Sequence, residues 1–262
     1  MAVPGRRRGA LRHTADVLFA LTRADVRVRY GRGRFRLIKW LVDPFALVGV
    51  YLLLVTFVLD RPGEAPGLSL TCAVVPFQLL MMSVANALSA VDHRRQIVLN
   101  MAFRRSLIPV SSVLTESVAF GASLALFALM MAVYGVAPTA ALLWLPVVLA
   151  VTVVVGIAFA YPASLVGLWF PDLRQFAISV VRTAYFVAPG LVPLSAIHGR
   201  TAELVRANPM TGLFESYRDV FLRGQSPAAW ELLLPLGIAL LLLAAFVPLY
   251  RTEQAQFAKV LD

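Results

Sequence analysis

The sequence contains few of the residues from which catalytic and metal sites are built. Its 262 residues include one cysteine, three histidines and two lysines. The histidines, at positions 13, 93 and 198, lie too far apart in sequence to indicate a Cys/His metal site, and lone Cys72 indicates a buried thiol. No G-x-x-x-x-G-K-S/T motif occurs, so we expect no ATP bound in a P-loop. With no carboxylate pair or activated nucleophile either, the chain is expected to bind no metal or cofactor and not to be an enzyme.

Charge is also scarce, and the apolar residues fall in long blocks. Charged residues make up 15% of the chain and hydrophobic residues 60%. A helix needs about 20 apolar residues to cross the hydrocarbon core of a bilayer. The blocks predict an all-α integral membrane protein. Its six transmembrane helices are expected at about residues 37–59, 68–90, 110–134, 142–169, 176–196 and 230–250.

The distribution of basic residues predicts the orientation. Residues 1–39 hold eleven Lys and Arg against two acidic residues, and residues 92–109 also carry a basic excess. Basic segments beside membrane helices stay in the cytoplasm, so both termini are expected there. This excess next to the first span indicates contact with anionic lipid headgroups rather than with nucleic acid. The predicted regions are a cytoplasmic N-terminus (1–36), a transmembrane domain (37–250) and a cytoplasmic tail (251–262).

Residues 11–29 predict an amphipathic helix lying on the membrane surface. The alternative is a surface helix with no special role. Asp25 falls near the edge of the apolar side and interrupts it. The apolar side holds Leu11, Ala15, Leu18, Leu21 and Val28, and the charged side holds Arg12, His13, Asp16, Arg23 and Arg27.

The segment from Asp92 to Glu116 is a basic elbow between two predicted spans. It contains two arginine pairs, Arg94–Arg95 and Arg104–Arg105, with an apolar stretch between them. Pro109 then begins the next span, because proline fits the first turn of a helix and breaks its interior. We interpret residues 94–105 as a coupling helix, against which a soluble partner pushes the membrane domain.

Arg182 is placed close to mid-membrane by its position in the fifth predicted span. An arginine at that depth must be paired or face water. Two interpretations remain open: an ion pair with Glu116 or another packing role, and a phosphate contact in a transport pathway.

The longest predicted outer connection, residues 197–229, contains a further amphipathic helix. Asn208 is expected to cap it and Pro209 to be its first residue. This helix is too polar to span, so it is expected at the outer surface or as a re-entrant segment. One face would hold Leu213, Phe214, Tyr217, Val220 and Phe221, and the other Glu215, Arg218 and Asp219.

Several segments together resemble a known family, the permease subunits of ABC-2-type exporters of polysaccharides. These exporters, of the type V kind, move O-antigen, teichoic acid and related lipid-linked glycans. The segments, with the residues that carry the resemblance, are RYGRGRFRLIKWLVDPF (Trp40, Pro44), QIVLNMAFRRSLIP (Phe103, Pro109), WFPDLRQF (Asp172), NPMTGLFESYRDVFLRG and the terminal FAKVLD. The second segment departs from the family pattern at Asn100, where lysine is usual, and at Arg104, where proline is usual.

The resemblance implies a homodimer around a central conduit in the plasma (inner) membrane of a bacterium. Two copies of a separate ATP-binding subunit, which hold ATP and Mg, would dock on the coupling helices at 94–105 and on the N-terminal helix. The cargo would be a polyprenyl-diphosphate-linked glycan taken from the cytoplasmic side. An alternative is export of a drug or small natural product by the same architecture. A secondary transporter would need midplane carboxylates, and a membrane glycosyltransferase would need an acidic metal-binding loop.

Candidate site residues fall into three groups. Coupling to the ATPase subunit is expected at Arg94, Arg95, Phe103, Arg104 and Arg105. The substrate conduit is expected to include Trp40, Tyr51, Phe120, Tyr161, Arg182 and Tyr185. The aromatic residues are included because sugar faces stack on aromatic rings, and Arg182 because it could contact phosphate. The outer gate is expected to include Asn208, Pro209, Phe214, Tyr217 and Arg218.

Overall fold

The computed structural model describes residues 4–30, 36–58, 65–101, 103–188, 190, 193–197, 199–254 and 256–257. In this part of the chain the regular elements are helices and no strand occurs. The α-helices are α1 (Pro4–Tyr30), α2 (Arg36–Leu53), α3 (Pro66–His93), α4 (Arg95–Asn100), α5 (Leu107–Tyr134), α6 (Leu145–Trp169), α7 (Arg174–Val187), α8 (Arg200–Arg206), α9 (Pro209–Arg218) and α10 (Ala229–Glu253). Single π-helical segments extend α2 (Leu54–Val58) and α9 (Asp219–Arg223), and 3-10 turns precede α6 (Ala140–Trp144) and α7 (Pro171–Leu173).

Four helical segments are long and apolar enough to cross a membrane. They are α3, α5, α6 with its preceding 3-10 turn, and α10. These segments coincide with the second, third, fourth and sixth predicted spans. The prediction of a multi-pass helical membrane protein is therefore confirmed.

Helices α2 and α7 lie where the first and fifth spans are predicted, but neither is a complete span on its own. The apolar part of the first is Pro44–Phe57, because Arg36, Lys39 and Asp43 occupy the beginning of α2. Helix α7 has 14 residues, about 21 Å at a rise of about 1.5 Å per residue, against a hydrocarbon core of about 30 Å. Of the break predicted at residues 189–193, residues 189, 191 and 192 lie outside the described part. The count of six spans stays a prediction.

Helix α3 lies at the centre of the bundle, where it packs against α2, α5, α6, α7 and α9. Most of its side chains are buried. It approaches α6 so closely that a Cβ atom on Gly167 would lie 1.8 Å from the carbonyl oxygen of Leu88. Only a residue without a side chain permits this backbone contact, so Gly167 sets the distance between the two spans.

Helix α1 is longer than the predicted 11–29 and packs against α5. Leu21 on its apolar side is buried. Val28, predicted on the same side, is 86% exposed, and Phe19 is 67% exposed. The side chain of Leu11 lies outside the described part. Helix α1 therefore buries only part of its apolar surface within its own chain, and the remainder is available to lipid.

Candidate functional site

Arg94 fastens the elbow to the rest of the molecule. Its side chain is buried and forms an ion pair with Asp25 of α1. It also donates hydrogen bonds to the hydroxyl of Ser111 in α5 (3.0 Å) and to the carbonyl oxygen of Ala90 in α3 (3.1 Å). Arg94 thus joins α1, α3 and α5, and its contact with the ATPase subunit stays a prediction.

Between Arg95 and Arg104 the described part of the elbow is largely exposed. Arg95 and Arg104 are exposed, and Met101 between them is 62% exposed. Phe103 is half-buried and packs against the cluster that contains Val98. Of the predicted coupling residues, Arg95 and Arg104 thus offer accessible charge, while Phe103 helps to hold the elbow in place.

Arg105 and Tyr161 connect the elbow to α10 and α6. Arg105 donates hydrogen bonds to the carbonyl oxygens of Gln254 and of Val98, the second at 3.3 Å. The hydroxyl of Tyr161 in α6 donates to the carbonyl oxygen of Ser106 at 2.9 Å. Tyr161 is buried within this chain, and its placement in the conduit stays a prediction.

Helix α9 begins as the sequence predicts. Asn208 accepts a hydrogen bond from the backbone N–H of Met210 (2.9 Å) through its side chain, and Pro209 is the first helical residue. The predicted polar face, however, is not exposed: every residue of Met210–Arg218 is buried. The helix packs against α3, α6 and α10 and so lies inside the bundle.

The polar face of α9 is satisfied by an ionic network centred on Glu215. The Glu215 carboxylate accepts from the guanidinium groups of Arg218 (2.7 Å) and Arg223 (2.6 Å), and from the backbone N–H of Leu194 (3.0 Å). Both Glu215 (2% exposed) and Arg218 (0%) are removed from solvent. Charges buried to this extent are tolerated only with such partners.

Arg218 and Asp219 extend the network to neighbouring segments. Arg218 donates to the hydroxyl of Ser69 in α3 (3.1 Å) and to the carbonyl oxygen of Gly190 (3.3 Å). Asp219 accepts from Arg223 (2.5 Å) and Gln225 (2.9 Å). The network therefore joins α9 to α3 and to the connection after α7.

The network keeps its carboxylate ionised. Burial alone would raise the pKa of Glu215, but the guanidinium of Arg218, the Leu194 N–H and Arg223 stabilise the charged form and hold this pKa below its ordinary value. Burial would likewise lower the pKa of Arg223, yet its hydrogen bonds to Asp219 and Glu215 raise it overall. Glu215 is therefore stable as an ion despite its burial.

Phe120 of the predicted conduit and Tyr217 of the predicted gate pack in one aromatic cluster with Phe127 and Phe221. Tyr217 and Phe120 have ring centroids 5.8 Å apart, and Phe127 stacks on Tyr217 at 6.2 Å and on Phe221 at 4.2 Å. Phe120 and Phe214 are 2% and 0% exposed. The Phe120 ring is covered within the subunit, and its placement in the conduit stays a prediction.

Helix α7 has several polar residues that are exposed on the surface of the bundle. Gln175, Ser179, Arg182 and Thr183 are exposed, while Ile178 and Val181 pack against the core. The hydroxyls of Ser179 and Thr183 are satisfied by carbonyl oxygens one turn earlier in α7. The guanidinium of Arg182 thus lies on the outer surface of the isolated chain.

The proposed pair between Arg182 and Glu116 does not form. Glu116 is buried and accepts a hydrogen bond from Asn86 in α3 at 2.7 Å. Among the ion pairs of the described residues, none joins Glu116 to Arg182. Tyr51 of α2 is half-buried and lies within electrostatic range of Arg182. The side chains of Trp40 and Tyr185 lie outside the described part.

Sequence reasoning missed the ionic contacts that organise both ends of the bundle. Besides Arg94 with Asp25, Arg174 at the start of α7 forms an ion pair with Asp92 at the end of α3. The spacing of Glu215 with Arg218 and of Asp219 with Arg223 was a usable signal, because residues three or four apart on a helix are neighbours. The long-range pairs left no comparable signal in a single sequence.

Comparisons with known proteins identify relatives along most of the chain. No family model matches the sequence. The chain is 27% identical over 246 residues to the O-antigen export system permease protein RfbA of Myxococcus xanthus, a match that covers 93% of this chain and 94% of the relative. Two proteins of the same name from Klebsiella pneumoniae are 25% and 24% identical over 210 residues, covering 80% of this chain and 81% of each. The resemblance to polysaccharide-export permeases is confirmed.

Proposed function

We propose that this chain, a homologue of O-antigen export permeases, is the membrane-spanning subunit of an ATP-driven exporter of a polysaccharide. The observation that carries the proposal is the match to these permeases along 93% of the chain. The four apolar spans agree with such a role. The matches favour a polysaccharide over a drug or small natural product. The finer proposal is a polyprenyl-diphosphate-linked glycan, moved from the cytoplasmic side across a bacterial inner membrane.

ATP hydrolysis is assigned to a separate nucleotide-binding subunit, two copies of which would bind ATP and Mg. The sequence has no P-loop of its own. Arg95 and Arg104 on the elbow are accessible to such a partner. Arg94 would transmit the motion of the partner subunit, because it links the elbow to α1, α3 and α5. A push on the elbow would therefore move three helices together.

The conduit is proposed to form between two copies of this chain, along α7. Within a membrane, Arg182 and its polar neighbours cannot face hydrocarbon without a large free-energy cost. A second copy or a water-filled path beside α7 removes that cost. Arg182 would then contact phosphate on the passing substrate, since a guanidinium binds phosphate through paired hydrogen bonds. Of the other predicted conduit residues, Tyr51 remains a candidate because its ring is only half-buried.

The outer gate is proposed to be α9 and its π-helical extension, with both chain termini in the cytoplasm. Asn208 and Pro209 fix the start of this helix, and Arg218 fastens it to α3 through Ser69. Phe214 and Tyr217 pack it against the spans. The gate would open only if this buried network separates from α3.

The function is tested by depleting the protein and measuring the pool of lipid-linked glycan. A polyprenyl-diphosphate-linked polymer should accumulate on the cytoplasmic side, and re-expression of the intact chain should clear it. Analysis of the accumulated sugars would name the glycan. Unchanged pools together with intact surface glycans would contradict the polysaccharide assignment and favour a small-molecule exporter.

A further inference from the structure

A basic cleft opens between the elbow and the end of α10. Its volume is about 550 Å³, and it is lined by Met101, Phe103, Arg104, Arg105, Ser106, Arg251 and Gln254. Three of these seven lining residues are arginines, and none is acidic. The cleft is therefore strongly positive, which favours an anionic ligand.

The arginines of the cleft have hydrogen-bond donors to spare. Arg104 and Arg251 are exposed, and neither forms an ion pair with an acidic side chain in the described ranges. Arg105 is held in place by the carbonyl oxygens of Gln254 and Val98. A guanidinium has five N–H donors, so Arg105 also retains donors for a ligand. One arginine is fixed in place, and two more can close around an anion.

The cleft lies where two membrane spans end. Arg251 follows Tyr250 near the end of α10, and Ser106 immediately precedes α5. Both helices are long and apolar enough to cross a membrane. Their shared end marks the level at which lipid phosphate groups lie. Exposed Met101 and half-buried Phe103 add apolar surface beside the arginines.

We infer that this cleft binds the phosphate or diphosphate group of a lipid. Arginine suits this group because its planar N–H donors pair with two phosphate oxygens at once. The adjoining apolar side chains would contact the first carbons of the lipid chain. Two lipids offer this chemistry: an anionic membrane phospholipid, and the polyprenyl diphosphate of the cargo. The second source rests on the proposed function, whereas the first does not.

The test measures lipid binding by the full-length chain in nanodiscs of phosphatidylcholine. The probes are farnesyl diphosphate and phosphatidylglycerol, and the measured quantity is Kd. Arg104→Gln and Arg251→Gln change side chains that form no ion pair with a described residue, so the fold should be retained. Each should weaken binding about tenfold by loss of a charge-assisted hydrogen bond. Arg200→Gln, an exposed arginine of α8 far along the chain from the cleft, is the matched control and should bind as the parent does.

A second measurement does not depend on any variant. A photoreactive prenyl diphosphate, cross-linked to the unmodified chain, should label residues in 101–106 or 251–254. A preference for farnesyl diphosphate would support the cargo as source, and equal binding of phosphatidylglycerol would support a membrane phospholipid.

Unchanged Kd values in both cleft variants, with labelling elsewhere, would overturn the inference. If the same variants instead lose association with the ATP-binding subunit, the cleft is a protein-docking surface. Neither measurement requires transport or the ATP-binding subunit. A failure here therefore leaves the proposed export function standing, and a failed depletion experiment leaves the lipid site standing.

Discussion

Asp25 of α1 forms an ion pair with Arg94, the residue that joins α3 to α4. Asp25 interrupts the apolar side of its helix, which is an imperfection if α1 simply lies on a lipid surface. The ion pair accounts for it, because the carboxylate turns towards the bundle and meets a buried guanidinium. The N-terminal helix is thus fastened to the elbow that is proposed to receive the ATPase subunit.

Removing Asp25 should destabilise the protein. Asp25→Asn leaves the buried Arg94 without its charged partner, at a cost of about 1–3 kcal/mol. Thermal unfolding in detergent should show a lower Tm. Asp16→Asn, an exposed change on the same helix, should leave Tm unchanged. An equal effect of the two substitutions would show that the pair has no stabilising role.

Reversing charge on the exposed part of the elbow should uncouple ATP hydrolysis from export. Arg95→Glu with Arg104→Glu should leave the amount of inserted protein near normal, because both side chains are exposed. Glycan export should fall while the partner's ATPase activity persists. Arg94→Glu is the contrasting variant and should lower stability instead, since that side chain is buried. Normal export by the exposed double variant would argue against the coupling surface.

Arg182→Gln should reduce export with little change in stability. The side chain is exposed in the isolated chain and supports no described ion pair. The measurements are transport of labelled glycan in reconstituted vesicles and Tm in detergent. Arg182→Lys keeps the charge but loses the paired donors, so its export should lie between that of Arg182→Gln and that of the parent. Normal transport by Arg182→Gln with a lowered Tm would refute the phosphate contact.

Acid should weaken the protein through Glu215. The folded-state pKa of Glu215 lies below its ordinary value of 4.5, so its contribution is fully present above the unfolded pKa and is lost as pH falls through the folded pKa. Tm should therefore decline below about pH 4.5. Glu215→Gln should lower Tm at pH 7 and remove part of this decline. Glu203→Gln, exposed on α8, should preserve the full pH dependence.

Gly167→Ala should separate α3 from α6. The added methyl group would lie 1.8 Å from the Leu88 carbonyl oxygen, so a helix must shift, at a cost of about 1–3 kcal/mol. A lower Tm in detergent is the expected readout. Gly121→Ala is the matched change in α5, where a Cβ atom would meet nothing within 4 Å, and it should unfold at or above the parental temperature. Equal Tm values would show that the close contact is dispensable.

Long apolar blocks predicted the four confirmed spans, because the length and hydrophobicity of a span depend on one continuous segment of the sequence. The cap at Asn208 and the first helical position of Pro209 were likewise local and were predicted correctly. The burial of α9 was not predictable in this way. A segment with Glu215 and Arg218 is polar by composition, and its partners Ser69 and Leu194 are distant in sequence.

In the candidate site, too, local features could be predicted from the sequence and long-range contacts could not. The exposed position of Arg104 agrees with its assignment to a basic elbow, whereas Arg94, ten residues earlier, is buried. Both arginines begin an Arg–Arg pair, and only the contacts of Arg94 with α1, α3 and α5 separate their roles. Phe120 and Tyr161 show the same limit for aromatic rings, since composition cannot tell a sugar-stacking ring from a packed one.

The buried network of α9 also constrains the order in which the chain assembles in the membrane. A helix carrying ionised Glu215 and Arg218 cannot enter hydrocarbon unaccompanied. Ser69 of α3 is present early in synthesis, but α10 is made after α9. Gly212 of α9 lies so close to α10 that a Cβ atom added to it would be 2.6 Å from the Glu231 carbonyl oxygen. The packing of α9 is therefore complete only after α10 has been inserted, so the bundle closes around this buried ionic network late in synthesis.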